Sequence, residues 1–159
     1  MALAAATALL WPKSRAADSR SPGGFLVDGG GRPVALAREL GPVTLIHFWS
    51  TWCPPCLTEL PELVRFASEI PEPRLRVLLV AVGDDPEAAR RFLGTDELPL
   101  LFDPAWEVAH RFGTRLLPET HVLVGGQVVQ SFIGATAWGD PAVRREVQKW
   151  TASPASAEP

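Results

Sequence analysis

The sequence lacks the features that mark nucleic-acid binders and membrane-spanning proteins. Its 15 basic and 18 acidic residues give a net charge of −3, so there is no basic excess to neutralise phosphates and no nucleic-acid partner is predicted. The apolar run over residues 1–11 is shorter than the roughly 20 residues that a bilayer-spanning helix requires. Internal repeats are also absent. What remains, 47% apolar and 21% charged residues in a chain of 159, is typical of one globular domain with a single core.

Cysteine is scarce as well: Cys53 and Cys56 are the only two, and they lie three positions apart. A bridge between them would close a very short loop and would restrict the unfolded chain little. The spacing therefore indicates redox chemistry or metal binding rather than a structural staple. A zinc site would need two further ligands, whereas His47, His110 and His121 are scattered without ligand spacing. We predict no metal and no cofactor, and a pair of inert buried cysteines stays as the weaker alternative.

The two ends of the chain differ in composition from its middle. Residues 1–11 (MALAAATALLW) are apolar and small, and basic residues follow them, whereas a secretory signal carries its positive charge in front. We interpret residues 1–24 as the remnant of an export signal or anchor with a polar linker, and a disordered leader is the alternative. Residues 25–152 are predicted to form the domain, and residues 153–159 a disordered tail.

Strand-like and helix-like patterns alternate through the domain. Residues 43–49 (VTLIHFW) and 75–82 (LRVLLVAV) have the β-branched and apolar character of buried strands. Between them, from Pro54 onward, apolar residues recur at helical spacing. This alternation predicts an α/β fold with a final antiparallel edge. The predicted order is a hairpin (25–27 and 33–36), a strand (43–49), a helix from 54, a strand (75–82), a helix (86–93), a strand (98–102), a helix opened by Asp103-Pro104 and closed at Gly113, a hairpin (120–124 and 127–133) and a helix from 141.

The segment Trp52–Cys56 (WCPPC) lies where the strand 43–49 passes into a helix. Cys53 falls at the helix start, where free N–H groups and the helix dipole stabilise a thiolate, the attacking species in disulfide exchange. Cys56 is one turn further along and can reach the first sulfur to resolve a mixed disulfide. The two prolines between them fix the turn and remove N–H donors that would otherwise solvate sulfur. The pattern predicts a thiol–disulfide oxidoreductase.

Two longer segments carry a family resemblance. Residues 25–63 (FLVDGGGRPVALARELGPVTLIHFWSTWCPPCLTELPEL) combine a hairpin, a strand ending in Phe-Trp, and Trp-Cys-x-x-Cys. Residues 116–138 (LLPETHVLVGGQVVQSFIGATAW) combine a Pro-Glu-Thr segment, a hairpin and a closing glycine. Together they resemble the TlpA/ResA/CcmG-type extracytoplasmic thioredoxins over about residues 25–150. The resemblance implies a thioredoxin fold, in which helices flank a central mixed sheet that carries an N-terminal β-hairpin extension, and a monomer.

The resemblance also implies roles for individual residues. Cys53 would be the exposed nucleophile and Cys56 the resolving thiol. Pro118 matches the family's cis-proline, which packs beside the disulfide, and the preceding Leu117 would present its backbone to an extended substrate. A trans loop proline is the alternative for Pro118, because a cis X-Pro bond is uncommon. Trp52 would cover the disulfide and add an apolar docking surface.

Two residues are candidates to accept the proton that Cys56 must lose before it attacks. Glu59 follows Cys56 by one helical turn, and ResA-like members carry an acid at this position. Burial would raise the pKa of Glu59 into a useful range. His47 stands six residues before Cys53, where ordinary thioredoxins have a buried aspartate, and a histidine there could relay a proton near neutral pH. The alternatives are a solvated Glu59 and a structural His47 in the core.

Four other residues near this region are predicted to have no part in the chemistry. His110 and His121 are interpreted as structural, and Trp49 as core packing. Glu119, next to Pro118, is expected to lie on the solvated rim of the substrate site. These expectations leave the proton transfer to Glu59 or His47.

The function predicted from these features is reduction of disulfides in extracytoplasmic partner proteins, with cytochrome c maturation as one setting. An upstream membrane or periplasmic electron donor would restore the dithiol. A peroxiredoxin is excluded because the positions that would hold its Thr and Pro hold Ser50 and Ile46. A copper-delivery protein of the Sco type needs three residues between its cysteines, and two are present here. A redox-inactive or metal-delivery binding module remains the alternative.

Overall fold

A computed structural model describes residues 24–70, 72–94 and 98–152. The leader predicted over residues 1–24 and the tail predicted over 153–159 lie outside the described residues, except for Gly24. None of the helices in these ranges combines the length and apolar character needed to cross a bilayer. The described elements are β1 (Phe25–Val27), β2 (Pro33–Ala35), a 3-10 turn (Leu36–Arg38), β3 (Val43–Trp49), α1 (Pro54–Ser68), β4 (Arg76–Val82), α2 (Pro86–Leu93), β5 (Leu100–Asp103), α3 (Glu107–Arg111), β6 (Glu119–Val124), β7 (Gln127–Ile133) and α4 (Pro141–Thr151).

The seven described strands form one mixed sheet in the order β2-β1-β5-β4-β3-β6-β7. β3, β4 and β5 run parallel, and α1 and α2 form the crossovers that parallel neighbours require. β6 and β7 add an antiparallel edge beside β3, and the N-terminal hairpin pairs with β5 through Val27 and Phe102. Gly125 and Gly126 join β6 to β7 with φ of 56° and 82°, the backbone that a tight hairpin turn needs. The predicted α/β fold with an N-terminal hairpin is confirmed.

The sheet separates two apolar clusters. Successive side chains of a strand point to opposite sides, so each central strand supplies both clusters and must be apolar throughout. We call the first side the redox face: it is covered by α1, α2 and α4, and its buried members include Leu45, Trp49, Cys53, Cys56, Leu63 and Trp138. We call the second side the opposite face: it is covered by α3 and the 3-10 turn, and its buried members include Leu36, Ile46, Phe48, Leu78, Val108 and Leu123.

Helix α1 begins directly beyond β3 because its first residues suit a helix start. Cys53 is the N-cap residue, with extended backbone (φ −106°, ψ 97°), and prolines occupy the first helical positions. Leu60 and Leu63 are buried on the redox face, where each side chain stabilises the packing by about 2 kcal/mol. The first turn of α1 therefore lies at the carboxyl end of β3. The carboxyl end of β4 lies on one side of this point and the start of β6 on the other.

Helix α3 differs from the sequence prediction. The pair Asp103-Pro104 predicts a helix from residue 104, but α3 begins at Glu107. Asp103 still belongs to β5, and its buried carboxylate accepts hydrogen bonds from the backbone N–H groups of Glu107 (2.9 Å) and Ala109 (2.8 Å). The carboxylate thus caps the helix across an intervening turn, whose last residue, Trp106, has a φ of 62°. The predicted capping chemistry is right, but the predicted start of the helix is wrong.

Candidate active site

Cys53 and Cys56 form a disulfide at the start of α1, with their Cα atoms 5.3 Å apart. The two residues differ in exposure: Cys53 retains 5% of its surface, and Cys56 retains none. Solvent and partners therefore approach the disulfide from the side of Cys53. Cys56 is enclosed in the redox-face core, so any proton it loses must pass to a protein group.

The helix start offers few hydrogen-bond donors to a Cys53 thiolate. The N–H of Cys53 itself donates to the carbonyl oxygen of Ser50 at 3.2 Å. Pro54 and Pro55 take the first two helical positions and have no N–H. In the described first turn of α1, Cys56 is the first residue with a backbone N–H. The helix start therefore offers a Cys53 thiolate fewer N–H donors than a first turn without proline would.

Asp84, which the sequence reasoning missed, braces the segment that leads into Cys53. Its carboxylate accepts hydrogen bonds from the backbone N–H of Thr51 at 2.6 Å and from the Thr51 hydroxyl at 2.7 Å. The indole N–H of Trp52 donates to the carbonyl oxygen of Gly83 at 3.1 Å. These contacts tie residues 51 and 52 to the loop after β4. One sequence feature could have pointed to Asp84: it follows the carboxyl end of a predicted parallel strand, and ligand sites on open α/β sheets form at that end of the strands.

Trp52 extends outward from the disulfide as part of an aromatic stack. Trp52 keeps 56% of its surface exposed. Its ring centroid lies 6.3 Å from that of Trp106, which in turn lies 5.7 Å from the ring of His110. Gly83 makes room for this stack, because a Cβ there would lie 2.9 Å from Nε1 of Trp106. The structure therefore places an accessible apolar surface next to Cys53.

Pro118 directly precedes β6, the strand that pairs with β3. The Leu117–Pro118 peptide bond is cis, the geometry that the family resemblance implies. Pro118 is buried, and its carbonyl oxygen accepts a hydrogen bond from the N–H of Gly134 at 2.9 Å. Leu117 is half-buried and packs against the cluster that contains both cysteines, while Leu116 is 69% exposed. The backbone at residue 117 thus lies between the core and the solvent.

Glu59 is buried on α1, one turn beyond Cys56. It retains 5% of its surface, and its Oε1 accepts a hydrogen bond of 2.5 Å from the indole N–H of Trp138. Among the described residues its second oxygen, Oε2, has no hydrogen-bond partner. Burial raises the pKa of Glu59 to about 7, although hydrogen bonds from Trp138 and from the Thr136 backbone oppose the rise. The carboxyl group is therefore balanced between its acid and base forms near neutral pH.

His47 lies in β3 with its side chain in the redox-face core. Its Nδ1 is 2.8 Å from the hydroxyl oxygen of Thr120, and within the described part of the chain its Nε2 has no partner. Burial lowers the pKa of His47 to about 3. The imidazole is therefore neutral across the physiological range, which favours Glu59 over His47 as the acceptor of the Cys56 proton.

Glu119 does not lie on the solvated rim that its place next to Pro118 predicts. It is only 6% exposed, because it is the first residue of β6 and pairs with Phe48 of β3 on one side and Ile133 of β7 on the other. Burial raises the pKa of its carboxyl group. Oε1 of Glu119 lies 3.4 Å from Nε2 of His121, whose own pKa burial lowers to about 4. Both residues belong to the opposite face, away from the disulfide.

The fold and the site together define a class of protein. A mixed sheet with a redox disulfide at the first turn of the helix that follows a central strand, and a cis-proline at the start of a neighbouring strand, is the arrangement of a thioredoxin-fold thiol–disulfide oxidoreductase. The chain belongs to the AhpC/TSA family, which it matches over residues 14–132.

Known proteins similar to this chain support the class. The sporulation thiol-disulfide oxidoreductase A of Bacillus subtilis is 26% identical over 127 residues, which cover 76% of this chain and 73% of that protein. The thiol:disulfide interchange protein DsbE homolog of Paracoccus denitrificans is 34% identical over 103 residues, which cover 62% of this chain and 54% of that protein. The exposed lipoprotein thioredoxin of Streptococcus pneumoniae is 25% identical with a TM-score of 0.64, and the match covers 80% of this chain and 98% of that one. The likeness to this solved structure confirms the predicted thioredoxin fold.

Proposed function

We propose that this chain reduces disulfide bonds in partner proteins outside the cytoplasm, with Cys53 as the attacking thiol and Cys56 as the resolving thiol. The observation that carries the proposal is the asymmetry of the pair. Cys53 is the N-cap residue of α1 and is the more accessible of the two, whereas Cys56 is enclosed one turn further along. An attacking thiolate needs access and a positive helix end, and a resolving thiol needs only to reach the first sulfur.

The reaction consists of two displacements. The Cys53 thiolate attacks one sulfur of the partner disulfide, which forms a mixed disulfide and releases the other partner sulfur as a thiolate. Cys56 then gives its proton to Glu59, and its thiolate attacks the sulfur of Cys53. This second step forms the Cys53–Cys56 disulfide and releases the second partner thiolate. Two electrons pass from the dithiol to the partner. Cys53 loses its proton to solvent before the attack and Cys56 loses its proton to Glu59, while the two partner thiolates take up protons from solvent.

The scarcity of N–H donors at the helix start supports the reducing direction. A strong oxidant of this kind owes its potential to a stabilised reduced form, in which the thiolate is well solvated by protein groups. Here Pro54 and Pro55 have no N–H group, and the N–H of Cys53 already donates to the carbonyl oxygen of Ser50. The reduced form is correspondingly less stabilised, so the pair gives up its electrons more readily.

The partner segment binds across the exposed edge of the disulfide. Trp52 supplies an apolar contact on one side, because more than half of its surface is accessible. Leu117 and Pro118 supply the other side, where the backbone next to the cis bond can pair with an extended chain. An apolar segment in extended conformation around the partner's cysteine is the chemistry that fits both contacts.

The proposed location of the chain is outside the cytoplasm. The solved structure that superposes on this chain is described as an exposed lipoprotein, which supports an extracytoplasmic location. Each turnover leaves the Cys53–Cys56 pair oxidised, so an upstream membrane or periplasmic donor must return two electrons. We place the chain, acting as a monomer, in the reduction of partner cysteines such as those that receive haem in cytochrome c maturation.

The alternative of metal delivery gains no support from the donor groups. Within the ranges that the structure describes, no three His, Cys, Asp or Glu side chains lie close enough together to hold a metal ion. The alternative of a redox-inactive docking module conflicts with the disulfide itself, because both cysteines are retained at the spacing that exchange requires.

A trapping experiment tests the proposed function. In Cys56→Ser the first displacement can occur but the second cannot, so Cys53 should remain in a mixed disulfide with its partner. Reduced Cys56→Ser would be incubated with an extracytoplasmic extract, and the adduct would be isolated under non-reducing conditions and identified by mass spectrometry. Cys53→Ser is the matched control and should give no adduct.

Two outcomes would overturn the proposal. One is the absence of any Cys56→Ser adduct together with a Cys53 that resists alkylation at neutral pH. The other is a wild-type protein, reduced beforehand, that fails to reduce insulin disulfides.

A further inference from the structure

We propose that Trp138 is a positioning residue for the resolving step: its indole N–H holds Oε1 of Glu59, so that Oε2 is left to receive the proton of Cys56. The inference rests on the proposed function and adds a residue to it. Trp138 is 79 positions from Glu59 in the chain, so no local sequence pattern connects the two residues. The contact joins the segment before α4 to the helix that carries the disulfide.

The indole is held firmly from two elements. Trp138 is fully buried, and its ring centroid lies 5.5 Å from that of Phe66 on α1 and 5.4 Å from that of Phe132 on β7. Rings packed at these distances leave the indole little freedom to turn. The N–H direction is therefore set by the core, and the Glu59 carboxyl group follows it.

The two oxygens of Glu59 have different surroundings. Oε1 is the acceptor that the buried indole N–H of Trp138 needs. Oε2 has no partner among the described residues, and Glu59 lines an open groove of about 450 Å³ together with Pro55, Thr58, Glu62 and residues 135–137. One oxygen anchors the group, and the other remains available.

The indole hydrogen bond also affects the balance between the two forms of the carboxyl group. Burial favours the protonated form, and the donated N–H favours the carboxylate. Among the described residues, Glu62 on α1 is the charged group that acts on Glu59, and its charge raises the pKa of Glu59 further. His47, whose side chain lies on the same side of the sheet, is neutral, and Cys56 titrates only when the disulfide is reduced. Removal of the N–H alone should therefore raise the pKa of Glu59.

The replacement Trp138→Phe tests the inference, because it keeps an aromatic ring and removes the N–H. The rate at which Cys56 resolves a preformed mixed disulfide would be measured by stopped flow between pH 5 and 9. The midpoint of its pH profile should rise by about one unit, so that the rate well below the midpoint falls about tenfold. A ¹³C NMR titration of the Glu59 carboxyl carbon in the oxidised protein should show the same upward shift without any turnover.

Phe132→Leu is the matched control, because it loosens the same ring cluster and leaves the N–H in place. It should keep the wild-type midpoint. Should Trp138→Phe fail to fold, site-specific incorporation of benzothienylalanine at position 138 keeps the double ring and replaces N–H with sulfur. A wild-type midpoint in the folded Trp138 variant, or an equal shift in Phe132→Leu, would overturn the inference.

A double substitution separates the inference from the proposed function. In a Glu59→Gln background, Trp138→Phe should cause no further shift, because the group it positions is gone. A protein whose Cys53 forms no mixed disulfide would refute the proposed function itself. A protein that forms and resolves the mixed disulfide with an unchanged profile in Trp138→Phe would refute only the role of Trp138.

Discussion

The buried histidine and glutamate near the redox pair and the buried histidine on the opposite face differ in how their polar atoms are paired. On the redox face, His47 and Glu59 each leave one atom, Nε2 and Oε2, without a hydrogen-bond partner in the described ranges. On the opposite face, His121 uses both ring nitrogens: Nε2 lies 2.8 Å from the Thr114 hydroxyl and Nδ1 lies 2.8 Å from the Ser131 hydroxyl. Both faces are built from the same central strands.

At Glu59 the unpaired oxygen has a functional interpretation. A buried polar atom without a partner costs about 1–3 kcal/mol, so a purely structural group gains by having every partner, as His121 does. Glu59 gives up that gain one helical turn from Cys56, where a proton must move. The unused capacity of Glu59 indicates function because its pKa lies near 7; His47 has the same unused capacity, but burial keeps it neutral.

The largest expected effect concerns Glu59 and the pH dependence of stability. Its pKa is about 7 in the folded protein and near 4.5 in the unfolded chain. The protonated form is thus favoured by folding, so its stabilisation is fully present below pH 4.5 and is lost as the pH rises through 7. Between these limits the wild type should lose about 3 kcal/mol of unfolding free energy that Glu59→Gln does not lose. Urea unfolding at several pH values measures this, and parallel curves for the two proteins would contradict it.

The next effect concerns the opposite face. His121→Leu leaves the buried Thr114 hydroxyl and the Glu119 carboxyl group without their histidine partner, so we expect a loss of about 2 kcal/mol in unfolding free energy at pH 7. Turnover per folded molecule should stay at the wild-type level. The exposed His110 is the matched control, and His110→Leu should change stability by less than about 0.5 kcal/mol. A selective loss of turnover in His121→Leu would contradict this prediction, because it would show that a group on the opposite face takes part in the reaction.

The smallest effect is expected at His47. His47→Leu removes the partner of Thr120 but also removes an unpartnered buried nitrogen, so the unfolding free energy at pH 7 should change by no more than about 1 kcal/mol. Because burial holds the pKa of His47 near 3, its loss should not move the pH profile of the resolving step near neutrality. A change in that pH profile as large as the change in Glu59→Gln would make His47 a second proton carrier.

Local patterns predict most of the fold because their causes are local. The apolar run of β3, the helical spacing from Pro54 onward and the cap-then-proline start of α4 all lie where they were predicted. Asp140 accepts a hydrogen bond from the N–H of Ala142 at 2.7 Å, as a capping residue should. The start of α3 was misplaced because Asp103 is held in β5 by its pairing with Val82, a contact between strands that the local signal cannot report.

The same distinction between local patterns and long-range contacts applies to the candidate active site. The redox pair follows from local sequence, because the Cys-Pro-Pro-Cys spacing at a strand–helix junction brings two sulfurs together within one helical turn. The surroundings of that pair depend on tertiary packing. Asp84 is 33 residues from Thr51, and Trp138 is 79 residues from Glu59, so the partners of the active-site segment arrive from distant elements. Spacing encodes contacts within a turn of helix, whereas burial and the proton balance of Glu59 depend on how the sheet and helices pack.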